Sequence, residues 1–306
     1  MLEFRLARAT AAATFALLVI GGMVHATGSS LACPDWPLCY GQFFPAMEGG
    51  VLFEHGHRLV ALAVSVLTLA LAVTVWRRRK ETAVRVGALV ALGLVLFQAS
   101  LGALTVVWKL PLVVSSGHLA TSMAFFSVLV WLTWRLAPPG PSAEGPAASG
   151  PVRALAGAAA LGVYLQIVLG ALVRHTGSGL ACGTSVVLCE GAAWPIAGPA
   201  QLVTLHRYFG VAVAILVVAA SAAALRAGPA RARRAASLAA PLVLVQILLG
   251  AWTVWSLISV SVVSLHLAGG ALLLADTLLL FLLLGPLPAS QRAGSDRLPG
   301  LVPAAG

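Results

Sequence analysis

Charge is what this chain has least of. Only 9% of its 306 residues are Asp, Glu, Lys or Arg, and 60% are hydrophobic. A soluble domain carries roughly a quarter charged residues, so an ordinary soluble fold is excluded. Acids are the scarcest, at nine, and there are only four cysteines. A cleavable leader is not expected either. The first apolar run has no A-x-A-like cleavage site and its equivalent recurs internally, so it reads as a retained helix. The formal charge of +10 does not imply a nucleic-acid surface. The basic residues sit in short loops between apolar runs, where they set topology.

What the chain has instead is length without charge. Eight runs near the ~20 residues that cross a bilayer as a helix fall at about 8–26, 56–76, 86–107, 113–135, 154–174, 204–225, 237–256 and 261–284. The fold class is therefore an all-α polytopic membrane protein. Placing the N-terminus in the cytoplasm puts fifteen of the nineteen Lys and Arg inside and only Arg58, Lys109, Arg174 and Arg207 outside, a clear positive-inside bias. Both termini are then cytoplasmic. Residues 137–153 start rich in Pro, Gly, Ala and Ser and read as a cytoplasmic linker. Residues 287–306 read as a disordered tail.

The two halves, 1–136 and 154–286, repeat one another. VHATGSSLAC (24–33) aligns with VRHTGSGLAC (173–182), and His57-Arg58 with His206-Arg207, at an offset of 149. QASLGALTV (98–106) aligns with QILLGAWTV (246–254), and His118-Leu119-Ala120 with His266-Leu267-Ala268, at an offset of 148. Four blocks in the same order indicate duplication, and a repeat sets the architecture. Each half has an even number of spans, so both enter the membrane in the same direction. The expectation is two four-helix bundles related by a pseudo-twofold along the membrane normal.

All four cysteines fall in the two outer loops. Cys33 and Cys39 bracket PDWPL, and Cys182 and Cys189 bracket GTSVVL. One disulfide per loop is the simplest pairing on an extracytoplasmic face. Each pair is either a structural staple or a couple that cycles between thiol and disulfide. A four-thiolate metal site is disfavoured, because it would have to bridge both halves.

Four of the seven histidines obey the repeat: His57, His118, His206 and His266. All four fall near the outer ends of helices that run outside to inside. Two imidazoles facing across a bundle can ligate a heme iron from both sides. An isolated helix-end histidine bonded to a carbonyl is the plainer reading for one residue, but four at repeated positions favour heme. Arg58 and Arg207 stand where heme propionates would need bidentate partners. His25, His55 and His175 break the repeat and read as loop or interface residues. Gln98 and Gln246 repeat and read as polar bridges between helices.

One residue breaks the symmetry in a chemical sense. Glu54 lies three residues before His57, on the same helix face, where the second half has Val203. A bis-histidine site without an acid suits electron transfer. A carboxylate beside the same frame can take a proton or stabilise a developing cation. A near-buried acid costs more than a helix dipole returns. Asp276, the other intramembrane acid, reads as a structural hydrogen-bonder.

Taken together, TGSSLACPDWPLC, E-x-x-H-R (54–58), G-H-L-A (117–120), TGSGLAC, L-H-R (205–207) and L-H-L-A (265–268) resemble the heme A synthase family over nearly the whole chain. The resemblance implies an eight-helix bacterial cytoplasmic-membrane enzyme with its heme sites near the outer face. It implies oxidation of the C8 methyl of heme O to a formyl group, giving heme A for terminal oxidases. It assigns heme b to His206 and His266 in the C-terminal half. Substrate heme goes to His57 and His118, with Glu54 catalytic, in the N-terminal half. Candidate partners are a heme O synthase, terminal oxidase assembly factors and a second copy of the chain. Two positions depart from the family pattern. His25 stands where the second half has Arg174, and GTSVVL replaces PDWPL. The alternative is a di-heme b-type electron-transfer protein without heme-modifying chemistry.

Overall fold

The computed structural model describes residues 1–138, 147–189, 191–196 and 198–288. Among the described residues there is no strand. The architecture is eight helices: α1 (Leu2–Ala26), α2 (Gly49–Arg78), α3 (Thr82–Val107), α4 (Leu112–Leu136), α5 (Gly150–His175), α6 (Pro199–Ala227), α7 (Arg233–Trp255) and α8 (Val260–Leu284). Each is long and apolar enough to cross a membrane. The eight expected spans are all present, and the chain is a multi-pass membrane protein.

The helices begin earlier than hydropathy predicts. α2 starts at Gly49 and α6 at Pro199, five or more residues before the apolar runs. Hydropathy misses these first turns because they carry polar side chains. The backbone continues through them because each added residue closes another hydrogen bond, and Pro199 is pre-shaped for a first turn. These extensions carry Glu54 into α2. α5 likewise starts at Gly150, inside the expected linker. Residues 139–146 of that linker, and all but two of the expected tail, lie outside the described residues. Pro241 sits inside α7, which continues through it.

Within the first half, α1 packs on α2 and α4, and α3 packs on α2 and α4. The second half repeats this with α5, α6, α8 and α7. Between the halves the contacts are α1 with α8, α4 with α5, and α4 with α8. Exchanging the halves maps this set onto itself. The first bundle is filled by branched side chains, among them Val64, Leu71, Val75, Leu129 and Leu132. The second relies on alanines such as Ala156, Ala159, Ala220, Ala224, Ala236 and Ala239. Small residues let helices approach closely in lipid, where packing rather than water exclusion drives association. Truncating the sealed Leu71 or Leu129 to Ala is expected to cost about 2 kcal/mol, the low end for a core leucine, since lipid removes much of the transfer contribution.

Two tight connections set the phase of α4 and α8. After α3 the chain turns through Lys109 (φ 54°) and Leu110 (φ 62°), and after α7 through Leu257 (φ 54°) and Ile258 (φ 63°). Leu110 N–H closes on the Thr105 carbonyl at 2.7 Å and Ile258 N–H on Thr253 at 2.9 Å. A left-handed residue with a side chain costs about 1 kcal/mol or more. The same strain at the same two places is a backbone signature of the duplication.

Candidate heme-binding frame

His57 and His206 lie about two turns into α2 and α6, and His118 and His266 about two turns into α4 and α8. At 1.5 Å per residue all four rings come to a similar depth from the end that carries the cysteine loops. The sequence-predicted partners therefore sit at one level of each half, His57 on α2 with His118 on α4 and His206 on α6 with His266 on α8. The rings are half-buried rather than sealed.

Each ring rests on a glycine of the neighbouring helix, a feature sequence reasoning overlooked. A Cβ on Gly21 would stand 3.1 Å from His57 Nε2, and one on Gly170 3.0 Å from His206 Cε1. On the other side, Gly102 faces His118 at 3.6 Å and Gly250 faces His266 at 3.2 Å. The signal was available: Gly21 and Gly170 are 149 apart, Gly102 and Gly250 148 apart, the same offsets as the histidines they support. The absent side chain is what makes room for the ring.

Gln98 and Gln246 are the expected bridges. Gln98 donates to the His118 carbonyl and Gln246 to the His266 carbonyl, both at 2.8 Å. Nδ1 of His118 and of His266 is buried without a partner, so both rings retain unused bonding capacity. Gln166 has no counterpart, since the first half has Leu17 in its place. It donates to the His206 carbonyl at 2.9 Å and lies 3.1 Å from His206 Nδ1.

Next to these matched frames the halves diverge. Glu54, 5% exposed, accepts the Cys33 N–H at 2.8 Å and pairs with Arg58 at 2.6 Å. Arg58 also donates to the carbonyls of Asp35 (2.7 Å) and Leu38 (2.5 Å). Asp35 in turn accepts N–H groups from Gly41 (2.8 Å) and Tyr40 (2.7 Å). Those bonds, with Arg58 nearby, hold its carboxyl below the usual aspartate range. One carboxylate and one guanidinium thus tie the first cysteine loop to α2. In the second half Val203 replaces Glu54. Both terminal nitrogens of Arg207 are buried without a hydrogen-bond partner.

The cysteines pair as expected, Cys33 with Cys39 and Cys182 with Cys189. His25 and His175 meet between the halves, with Nε2 and Nδ1 2.8 Å apart. His55 is not a loop residue. It lies within α2, 3% exposed, against the first disulfide. Asp276 Oδ2 is buried without a partner, so the structural hydrogen bond expected of it is not formed. A cleft of about 590 Å³ between Trp131, Arg135, Arg153 and Phe281 lies at the opposite end from the cysteine loops.

A sequence model of the COX15-CtaA family, described as cytochrome oxidase assembly protein, matches residues 4–51 and 47–278. The chain belongs to that family. It is 33% identical over 226 residues to a heme A synthase of Symbiobacterium thermophilum, covering 69% of this chain and 72% of that one. To a heme A synthase of Shouchella clausii it is 32% identical over 222 residues, 70% and 73% of the two chains. Membership makes the chain a membrane oxidoreductase of heme metabolism, and the resemblance read from its motifs stands.

The residues present fit a planar iron porphyrin. The four repeated imidazoles keep part of their surface, Nδ1 of His118 and of His266 has no partner, and among the described residues the Arg207 terminal nitrogens have none either.

Proposed function

We propose that this chain converts heme O to heme A by oxidising the C8 methyl to a formyl group. Substrate heme O binds between His57 and His118 in the half 1–136. Heme b binds between His206 and His266 in the half 154–286. Both sites lie toward the outer face of a bacterial cytoplasmic membrane, with both termini inside, as the basic-residue bias supports. The contacts that exchange between halves support a pseudo-twofold arrangement. One observation carries the reading: the histidine–glycine frame is duplicated and the acid is not.

When bound, heme b supplies one-electron redox capacity. The protein's own groups do the rest. His57 and His118, set by Gly21 and Gly102, hold the substrate iron and so fix the macrocycle's edge relative to Glu54. Conversion of methyl to formyl takes its oxygen from water and passes two electrons to an external electron acceptor, with release of two protons, at each of two stages, followed by loss of water from the hydrated aldehyde. Glu54 is the proton acceptor for the water that adds to the electron-poor carbon. Arg58 and the Cys33 N–H keep its carboxylate oriented, so little reorganisation is needed at the moment of transfer. Arg207 is the propionate partner of the second site. Arg58 can serve the first only by exchanging a loop carbonyl for a propionate oxygen. A heme O synthase supplies the substrate, and terminal oxidase assembly consumes the product.

The test is chromatography of heme extracted from the purified chain after expression with a heme O source. Glu54→Ala should lower heme A yield by on the order of a hundredfold or more while a bis-histidine heme spectrum persists. Undiminished heme A from that variant rejects the catalytic assignment. Permanently bound heme b in both halves, with no heme A at all, selects the di-heme electron-transfer reading instead.

A further inference from the structure

The buried histidine beside the first disulfide is used by nothing described so far. His55 is 3% exposed, and Cys33 and Cys39 are fully buried. Its Nε2 lies 2.9 Å from the Phe43 carbonyl oxygen. A carbonyl only accepts, so Nε2 carries the proton and Nδ1 keeps its lone pair. That Nδ1 is buried and has no partner. One imidazole nitrogen and two sulfurs lie within 4.8 Å of one another. Two thiolates alone are too few ligands for a zinc site. The fold adds a third donor from α2.

We propose that, in its dithiol form, this loop binds one thiophilic divalent cation through Cys33, Cys39 and His55. Tetrahedral zinc, with bonds of about 2.0–2.3 Å, places its ligand atoms roughly 3.3–3.8 Å apart. The imidazole nitrogen and the two sulfurs already lie within 4.8 Å of one another, and the sulfurs move apart toward that spacing once their bond opens. A ligating histidine characteristically donates its other N–H to a backbone carbonyl, which fixes tautomer and ring orientation. The Phe43 carbonyl already supplies that support. A water molecule would complete the tetrahedron, as at zinc sites with three protein ligands.

Formation balances as thiol–disulfide exchange followed by coordination. A dithiol donor is oxidised to its own disulfide while Cys33 and Cys39 each gain a hydrogen. Binding then releases both thiol protons as the sulfurs coordinate as thiolates. Disulfide and metal site are mutually exclusive states of one loop. The second loop is a built-in control. Its equivalent of His55 is Thr204, whose hydroxyl lies 3.9 Å from Cys182 Sγ and is a poor ligand for a soft cation. The proposal does not rest on the heme reading, since His55 is none of the four frame histidines.

The experiment uses the full chain as purified in detergent, equilibrium-dialysed against Zn²⁺ and assayed for bound metal. Samples are either oxidised or reduced with tris(2-carboxyethyl)phosphine, which brings no thiol of its own. One Zn²⁺ per chain should appear on reduction, beyond whatever the oxidised sample holds. Cys182→Ser/Cys189→Ser should leave it in place, and Cys33→Ser/Cys39→Ser should remove it. His55→Thr, which keeps both cysteines and copies the second loop, should weaken it at least about tenfold. The proposal is overturned by no added Zn²⁺ on reduction, by full binding in Cys33→Ser/Cys39→Ser, or by unchanged affinity in His55→Thr.

Discussion

The two halves hold their histidines alike and their arginines differently. Arg58 is spent: it pairs with Glu54 and donates to two loop carbonyls. Arg207, at the equivalent position, has both terminal nitrogens buried without a partner. A buried guanidinium without an anion is costly, and among the described residues none pairs with Arg207, which is what the proposed propionate contact would relieve. The first half already balances its charge internally. Duplication supplied two equal frames. Charge then divided them into a half whose arginine is left without a partner and a half that holds its own acid in place.

The largest effect that would break this contrast is loss of an imidazole. His206→Ala or His266→Ala should abolish the tightly bound heme b signal in the visible spectrum of the purified chain. Survival of the signal there, with loss in His57→Ala, would reverse the halves. Next comes the arginine pair. Arg58→Ala leaves Glu54 buried and unpaired, at a cost of about 3–5 kcal/mol, seen as a fall in thermal unfolding midpoint. Arg207→Ala should not lower that midpoint in heme-free protein, but should speed heme loss.

A smaller effect follows from the glycines. Gly170→Ala presses a methyl to 3.0 Å from His206 Cε1, whereas Gly93→Ala meets nothing within 4 Å. Heme retention should drop severalfold in the first and stay unchanged in the second. The smallest is a pH effect at Asp35. Its carboxyl is held below the ordinary 3.8 by the Gly41 and Tyr40 N–H groups. Because the folded value is depressed, its stabilisation is present above pH 3.8 and lost as pH falls through the folded value. Hydrogen exchange at Tyr40 and Gly41 should accelerate there. The second loop, where the Ser185 hydroxyl donates to the Leu188 carbonyl, should not respond in the same way.

Much of this was legible in the chain. Eight apolar runs, the 149/148 repeat and the odd acid at Glu54 announced the spans, the duplication and the half that differs. Helix starts were not legible, because hydropathy stops at EHGHR while backbone hydrogen bonding does not. The glycine supports were hidden because a missing side chain has no chemistry to notice. Their repeat spacing was the only sign. Arg58 was read as free for a propionate because carbonyl acceptors in a loop leave no mark on residue identity. His55 broke the repeat and so looked incidental. Its burial against the disulfide depends on how the loop folds back over α2.

The glycine supports also bear on the order in which the molecule forms. Gly21 and His57 belong to the helical hairpin α1–α2, Gly102 and His118 to α3–α4, and the second half repeats this with α5–α6 and α7–α8. Every ring is therefore oriented by its immediate neighbour in the chain, through contacts of short sequence separation that form early. Only the meeting of ring with ring requires two hairpins to dock. A nascent chain can emerge with each imidazole already aimed before the hairpins dock.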